Sequence, residues 1–220
     1  MKIYDISQEV FQCAVYPGDP SPKKEIMLNR KDGAVCNLTA LSMCAHNGTH
    51  VDAPYHFMDD GKTIEQVSLE KFVGTCYVAE HGGVVTAEDA KEILRKAEAS
   101  GKAYVYEEEA KGISKIRFIY DSTDAAKRIL VKGKAEVSAE AAHVFADAGV
   151  MLVGNESQTV GPENAPMEVH LILLSAEVVL LEGIRLAEVP EGIYLLNAAP
   201  LNLGGADGAP CRAILLDMNH

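Results

Sequence analysis

The sequence predicts an α/β fold, in which helices flank a sheet within a single domain spanning residues 1–220. Residues 138–166 follow the order helix, glycine, apolar strand and polar loop, which is the alternation that builds such a domain. A capping box at Thr86-x-x-Asp89 begins another, amphipathic helix over residues 87–99. At 220 residues the chain is also long enough to bury a core of its own.

Composition limits the classes of partner. A formal net charge of −12 argues against nucleic acid and anionic membranes, because both demand a basic surface, and favours a small-molecule substrate. No apolar run approaches the roughly eighteen residues of a membrane span, and the start MKIYD has no signal-peptide core, so we expect a cytoplasmic protein. Five cysteines, odd in number and without a CxxC pair, predict reduced thiols.

Three segments lead up to the stretch that is richest in candidate ligands. Ile3 opens a short strand. Residues 15–20 (VYPGDP) form a rigid loop, punctuated by proline and glycine, that either walls a pocket or is only a turn. Residues 34–43 are small, β-branched and apolar, which favours a strand that leads directly to His46.

Residues 46–57 (HNGTHVDAPYHF) hold three histidines and an aspartate within eleven positions. A single buried histidine is ordinarily a core residue, but this density exceeds what packing requires, and nitrogen and oxygen ligands suit zinc or manganese. Gly48 and Pro54 argue against a helix. In a straight strand His46 would lie about 13 Å from His50, too far for one ion. The chain must therefore bend at residues 47–48, where positive φ is tolerated.

Two residues, one inside this stretch and one just before it, have other predicted roles. Pro54 ends the strand and leaves His56 on the loop just past the metal, where a proton-transfer group fits better than a third imidazole ligand. Cys44, two residues before His46, either touches the metal site or is a small buried hydrophobe.

The middle of the chain predicts ordinary structural elements. Residues 58–61 form a polar turn, 63–72 a turn-rich or helical segment and 74–79 a strand. Residues 116–120 and 128–132 are apolar segments that could pair as strands. The acidic run at 107–109 is a solvated face rather than a second cation site.

Two distant residues are predicted to join the metal site. Residues 167–175 form an apolar helix that carries His170, and a strand over 178–181 ends in Glu182. A helix and a strand joined by a tight turn run back along each other, so these two side chains can lie side by side and meet the first cluster. The alternative is a core histidine and a surface glutamate. A carboxylate ending so apolar a strand is costly to bury without a cation.

The remaining segments surround these residues. The loop at 155–166 is expected to wall the site, because sites collect at strand ends. Strands at 193–197 and 213–216 enclose a glycine-rich loop at 200–210.

These motifs resemble those of the metal-dependent cyclase-like hydrolases, a family that includes bacterial kynurenine formamidase and isatin hydrolase. The family signature HxGTHxDxPxHF matches residues 46–57. An aromatic-Pro-Gly-Asp loop matches residues 16–19, and a closing Pro-x-Arg-Ala matches residues 210–213. A later histidine and glutamate, twelve apart, match His170 and Glu182, so the match spans nearly the whole chain.

The resemblance implies a swivelling β/β/α fold with a mixed sheet, and a homodimer or homotetramer. It implies Zn²⁺ or Mn²⁺, as one ion or as two bridged by Asp52, with His56 as acid/base and Tyr16 at the substrate-binding position where formamidases carry Trp. The implied metal ligands are His46, His50, Asp52, His170 and Glu182. Residues 154–162 and 131–133 depart from the family pattern, which affects the choice of substrate.

The favoured function is hydrolysis of a C–N amide or cyclic amide bond. The ion would lower the pKa of a bound water and polarise the carbonyl, while His56 moves the proton to the departing nitrogen. A lyase or dehydratase would use the same ion as a Lewis acid. The altered loop at 155–161 also leaves open a non-catalytic metal-binding or ligand-binding protein.

Overall fold

A nine-stranded sheet forms the centre of the molecule in the computed structural model, which describes residues 1–108 and 116–218 and gives only the backbone for 103–108 and 116–120. The strands of these described residues are β1 (Lys2–Asp5), β2 (Lys23–Leu28), β3 (Leu38–Ser42), β4 (His50–Asp52), β5 (Val73–Glu80), β6 (Gly83–Val85), β7 (Ala103–Glu108), β8 (Ile116–Asp121), β9 (Arg128–Lys132), β10 (Ala135–Val137), β11 (Leu152–Asn155), β12 (Val179–Glu182), β13 (Gly192–Asn197), β14 (Gly208–Pro210) and β15 (Ile214–Asp217). The α-helices are α1 (Ala87–Ser100), α2 (Ala139–Asp147) and α3 (Met167–Ser175).

The central sheet is mixed, in the order β1-β15-β13-β5-β9-β11-β12-β4-β14. Strands β5, β9, β11 and β12 run parallel, and the strands outside them pair antiparallel. Each parallel step needs a crossover, which α1, α2 and α3 supply in turn. The predicted α/β fold, with a mixed sheet and flanking helices, is confirmed; its assignment as a swivelling β/β/α fold stays a prediction.

Both faces of the parallel centre of the sheet are buried. Ile129 and Val131 of β9 pack in the cluster that contains the helices, together with Phe145 of α2 and Leu173 of α3. Leu130, between them in sequence, belongs to the cluster on the other face. Because successive side chains of a strand point to opposite faces, a strand covered on both sides needs a continuous apolar run.

The helix boundaries agree closely with the predictions. Thr86 makes both bonds of the capping box with Asp89 at the start of α1. The Ser138 side chain accepts a hydrogen bond from the backbone N–H of Ala141 and begins α2. Capping residues therefore located both starts within a residue. No helix in the described part of the chain is long and apolar enough to cross a membrane.

Two strand predictions need correction. The segments at 116–120 and 128–132 do form strands, but β8 pairs with β7, whereas β9 lies between β5 and β11. Of the strand predicted at 34–43, only β3 is extended, and it pairs with β2 in a separate exposed hairpin. The side chains of the acidic run at 107–109 lie outside the described residues. All five cysteines are free thiols, as predicted.

Candidate metal centre

The short strand β4 places two of the predicted ligands in the sheet. Its antiparallel register with β12 sets His50 directly opposite Glu182 and Asp52 opposite Leu180. Directly opposed residues of an antiparallel pair lie close together on the same face. His50 and Glu182, which are far apart in sequence, are therefore neighbours, with His50 Nε2 3.4 Å from Glu182 Oε2.

A bend before β4 brings the first histidine back toward the strand. Gly48 has φ of +71°, and the Asn47 side chain accepts a hydrogen bond of 2.9 Å from the Cys44 backbone N–H. The predicted bend, without which His46 and His50 would be too far apart for one ion, therefore lies at this glycine. It leaves His46 Nδ1 2.9 Å from Asp52 Oδ1.

The helix α3 supplies the fourth histidine from the other side. His170 lies in its first turn, with Nε2 3.2 Å from Glu182 Oε1 and 3.4 Å from Asp52 Oδ2. Glu182 Oε1 also accepts a hydrogen bond of 2.8 Å from the Val160 backbone N–H. His170 and Glu182 thus lie within the cluster and are buried, rather than being a core histidine and a surface glutamate.

His56 lies one turn beyond β4, at the end of a short 3₁₀ helix that begins with Pro54. Its ring stacks on His46 at 4.0 Å between centroids and meets the edge of Phe57 at 4.6 Å. Its side chain is 27% exposed, compared with 3% for His50 and His170. His56 is therefore the histidine of this group that is most open to solvent.

Asp207 is a site residue that the sequence did not reveal. It lies in the glycine-rich loop just before β14, which pairs with β4 and so brings the loop over the histidines. Asp207 Oδ2 accepts from His46 Nε2 at 2.9 Å and from His56 Nδ1 at 3.1 Å. These two hydrogen bonds hold the pKa of Asp207 well below its ordinary value. The lone carboxylate in an otherwise small and apolar loop was the only available signal.

Three histidines share one hydrogen-bonding pattern. One ring nitrogen faces the buried carboxylates, and the other faces an oxygen that can only accept, so this second nitrogen carries the proton. The outward acceptors are Asp207 Oδ2 for His46 (2.9 Å), Gly48 O for His50 (3.1 Å) and Pro166 O for His170 (2.9 Å). Metal-ligating histidines have this arrangement, because the outer acceptor fixes the tautomer and the ring orientation.

Asp52 is the centre of the cluster. It is fully buried, and its carboxylate faces the imidazoles of His46, His50 and His170. Burial alone would raise its pKa, but the attraction of the imidazoles of His170, His46 and His50 outweighs burial and holds the pKa of Asp52 well below its ordinary value. Asp52 Oδ2 is buried and lacks a hydrogen-bond partner among the described residues. A cation would satisfy this oxygen.

The histidines respond to the same carboxylates. Burial lowers the pKa of each ring, yet the hydrogen bonds to the acidic groups prevail and raise the pKa to about 11 for His46, about 10 for His170 and about 9 for His50. With no cation bound, protons on these rings balance the buried negative charge. A divalent metal would replace those protons, since a ligand must be deprotonated to bind.

The donor set fits a divalent metal. Among the described residues, two groups have donor atoms within 4.8 Å of one another, and both contain Asp52: one adds His46 and His56, the other His50 and Glu182. Mixed imidazole and carboxylate donors suit zinc and manganese. Cys44 belongs to neither group, and its sulfur lies 3.9 Å from Asp19 Oδ2.

An open cavity of about 270 Å³ gives access to the cluster. Its lining comes from the early loop, the histidine stretch, the loop at 155–166 and α3: Tyr16, Asp19, His46, His50, His56, Phe57, Gln158, Thr159, Pro166, His170 and Glu182. The Tyr16 hydroxyl donates to Glu163 O at 3.0 Å and so joins the two loops. The early loop is thus a pocket wall and not only a turn.

The chain is similar in sequence to known proteins over most of its length. The family model described as putative cyclase matches residues 4–162. The kynurenine formamidase of Salinibacter ruber is 32% identical over 220 residues, covering 99% of this chain and 98% of its own.

Solved structures show the same fold. A predicted metal-dependent hydrolase from Bacillus stearothermophilus has a TM-score of 0.70 at 26% identity, covering 97% of both chains. Isatin hydrolase A from Labrenzia aggregata has a TM-score of 0.73 at 19% identity, covering 97% of this chain and 93% of its own, which is evidence for the fold alone. With the full-length relative and the matched family model, the chain belongs to the family of putative cyclases.

Proposed function

We propose that this protein hydrolyses the C–N bond of a small amide, either a formamide or a cyclic amide, with the help of a divalent metal ion. The observation that carries the proposal is a largely buried cluster of histidines and carboxylates that lines an open cavity. The similarity to a kynurenine formamidase over the full length of both chains supports an aryl formamide as the first substrate class to test.

We assign the metal to the residues around Asp52. His46, His50 and Asp52 would hold the first ion, and His170 and Glu182 would complete the site. Zn²⁺ and Mn²⁺ are the candidates, because the donors are imidazoles and carboxylates. When bound, such an ion lowers the pKa of a water molecule toward neutrality and polarises a carbonyl group.

His56 is the acid/base of this mechanism. Its Nδ1 proton is held by Asp207 Oδ2, so Nε2 is the nitrogen that remains for proton transfer. Nε2 takes a proton from the attacking water and returns it to the departing nitrogen, as general base and then general acid. Asp207 orients the ring, in the way that a carboxylate orients the histidine of a catalytic triad.

The cavity walls are suited to a small aromatic amide. Phe57 and Tyr16 offer aromatic surface, and the hydrogen bond to Glu163 O fixes the Tyr16 hydroxyl. The Thr159 hydroxyl also lines the cavity, is buried and lacks a partner among the described residues. We assign Tyr16 to substrate binding and Thr159 to a polar group of the substrate.

The loop that departs from the family pattern has its own internal support. Asn155 Nδ2 donates to Ala135 O and to Thr159 O, and Glu156 accepts from the backbone N–H groups of Gly133 and Leu186. These polar side chains therefore hold the loop in shape beside the cavity. A lyase or dehydratase would use the same wall and the same residues.

The test is metal removal followed by a substrate screen. Chelated protein should lose all hydrolysis and recover it with Zn²⁺ or Mn²⁺, assayed on aryl formamides, cyclic imides, lactams and lactones. His56→Ala is the inactive blank, and His143→Ala, on the exposed face of α2, is the matched control. A hydrolysis rate that metal removal does not change, or that is equal in the His56 variant and the wild type, would refute the proposal.

A further inference from the structure

Gln158 lies where three cavities adjoin. It lines the catalytic cavity of about 270 Å³, a larger cavity of about 850 Å³ and a third one of about 350 Å³. Ligand sites in proteins commonly have volumes of about 300–1,000 Å³, so the larger cavity is big enough to hold part of a small molecule. A branched substrate that occupies both the catalytic cavity and the larger one passes Gln158.

The backbone on either side of Gln158 is fixed. The carbonyl oxygen of Ser157 accepts a hydrogen bond of 2.8 Å from the backbone N–H of Gly183. The backbone N–H of Val160 donates to Glu182 Oε1 at the candidate metal centre, at 2.8 Å. Gln158 therefore has a rigid support that is bonded to the metal centre itself, and selective contacts depend on such support.

The Gln158 side chain takes no part in that support. It is half-buried, and it makes no hydrogen bond or ion pair with any other residue that the structure describes. Its neighbours Asn155 and Glu156, by contrast, make hydrogen bonds that hold the loop. The side-chain amide of Gln158 is therefore available to a ligand, with Nε2 as donor and Oε1 as acceptor.

The charges of the larger cavity favour a neutral ligand group. Three acidic side chains and two cationic ones line it: Glu136, Glu156, Glu163, Lys134 and Arg185. Arg185 Nη1 already donates to the backbone carbonyl oxygens of Glu156 and Ile184, at 3.2 and 2.8 Å. An anionic group would meet this acidic excess, in a chain of net charge −12. A neutral carboxamide avoids the repulsion and offers Gln158 both a donor and an acceptor.

We propose that Gln158 is a specificity-determining residue, which selects aryl amides with a neutral carboxamide branch that extends from the catalytic cavity toward the larger one. The inference rests on the proposed function, since the scissile amide must lie beside His56. Gln158 belongs to residues 154–162, where the sequence departs from the family pattern. That departure is therefore assigned to the substrate branch, and the candidate metal ligands lie outside it.

The first test compares matched substrates in the wild type and in Gln158→Met, because methionine keeps the length of the side chain but loses the amide donor and acceptor. The substrates are formanilide, its 3- and 4-carboxamides and the corresponding carboxylates. Relative to formanilide, kcat/KM for the better carboxamide should fall about three- to tenfold in Gln158→Met, mainly through KM, which is the contribution of one neutral hydrogen bond. Gln12→Met alters an exposed glutamine that lines none of the three cavities and should keep the wild-type ratio.

Three results would overturn the proposal. The first is a wild-type ratio in Gln158→Met. The second is an equal loss for formanilide and its carboxamide, because that would assign Gln158 to packing of the loop. The third is a larger loss for the carboxylate than for the carboxamide, because that would assign a charged branch.

A binding measurement separates this inference from the proposed function. Calorimetric titration of metal-loaded His56→Ala with the carboxamide of formanilide gives a Kd without turnover, and adding Gln158→Met should raise that Kd about three- to tenfold. If this rise occurs but no formamide is hydrolysed by the wild type, the proposed function fails and the selectivity of Gln158 stands. An unchanged Kd, or no binding at millimolar ligand, would overturn the selectivity even where formanilide is hydrolysed.

Discussion

Replacing Asp207 by asparagine is expected to slow turnover while leaving the metal ligands in place. Asparagine keeps the size of the side chain but removes the charge that accepts from His46 Nε2 and His56 Nδ1. His56 would then lose the partner that fixes its tautomer. Asp207 belongs to neither candidate ligand group, so the donors themselves stay intact.

The size of the effect follows from the hydrogen bonds and their exposure. A hydrogen bond to a charged group contributes about 1.5–3 kcal/mol. The Asp207 side chain is 42% exposed, so solvent screening leaves roughly 1–2 kcal/mol for the bond to His56. At about 1.4 kcal/mol for each factor of ten, kcat should fall by about 5- to 30-fold.

The assay is steady-state hydrolysis of an aryl formamide at saturating metal. We expect the loss in kcat, with KM within about twofold of the wild type, because substrate contacts are unchanged. Asp60→Asn, an exposed aspartate in the turn after Phe57, is the control and should behave as wild type. A folded, metal-loaded Asp207 variant with wild-type kcat would refute the orienting role, as would a loss that excess metal fully restores.

Three other predictions test the site. Asp52→Ala should abolish metal retention measured by elemental analysis, whereas His56→Ala should keep the metal and lose about 10²- to 10⁴-fold in kcat; equal metal loss in both would make His56 a ligand. Glu182→Gln should weaken metal binding and, in protein that stays loaded, lower the pH at which hydrolysis begins, since a negative charge beside the ion is lost; unchanged metal content and pH profile would remove Glu182 from the site. In metal-free protein His46, His50 and His170 have raised pKa values of about 9 to 11, so their contribution to stability is complete below pH 6.5 and is lost as pH rises through 9 to 11. Thermal unfolding with chelator should show that decline, and a melting temperature constant from pH 7 to 11 would contradict it.

Local chemistry was sufficient to predict much of the fold. Thr86 and Ser138 located two helix starts, because a side-chain cap satisfies backbone groups that any helix leaves open. The length of a straight strand predicted the bend at Gly48, since such a strand would hold His46 too far from His50 to share one ion. These features depend on a few adjacent residues and need no knowledge of the rest of the chain.

Strand pairing was predicted less well, for a physical reason. The apolar segments that became β8 and β9 look alike in sequence, but one closes a local hairpin and the other joins a parallel sheet through crossover helices. The periodicity of apolar residues and the composition of a segment predict only whether a strand is buried or half-buried. They do not state which edge it joins, so the pairing of β14 with β4 was also beyond prediction.

The cost of burying charge explains which site residues could be found from the sequence. Glu182 ends an apolar strand and His170 lies in an apolar helix, and both are buried in the cluster. Because burying a polar or charged group is costly without a partner, their apolar surroundings in the sequence already predicted a cation beside them. Asp207 is 42% exposed on a glycine-rich loop and carries no comparable penalty. Groups that hold a cation in the interior are thus marked by their surroundings. A group that orients a histidine from the surface is found only once the fold places the two side by side.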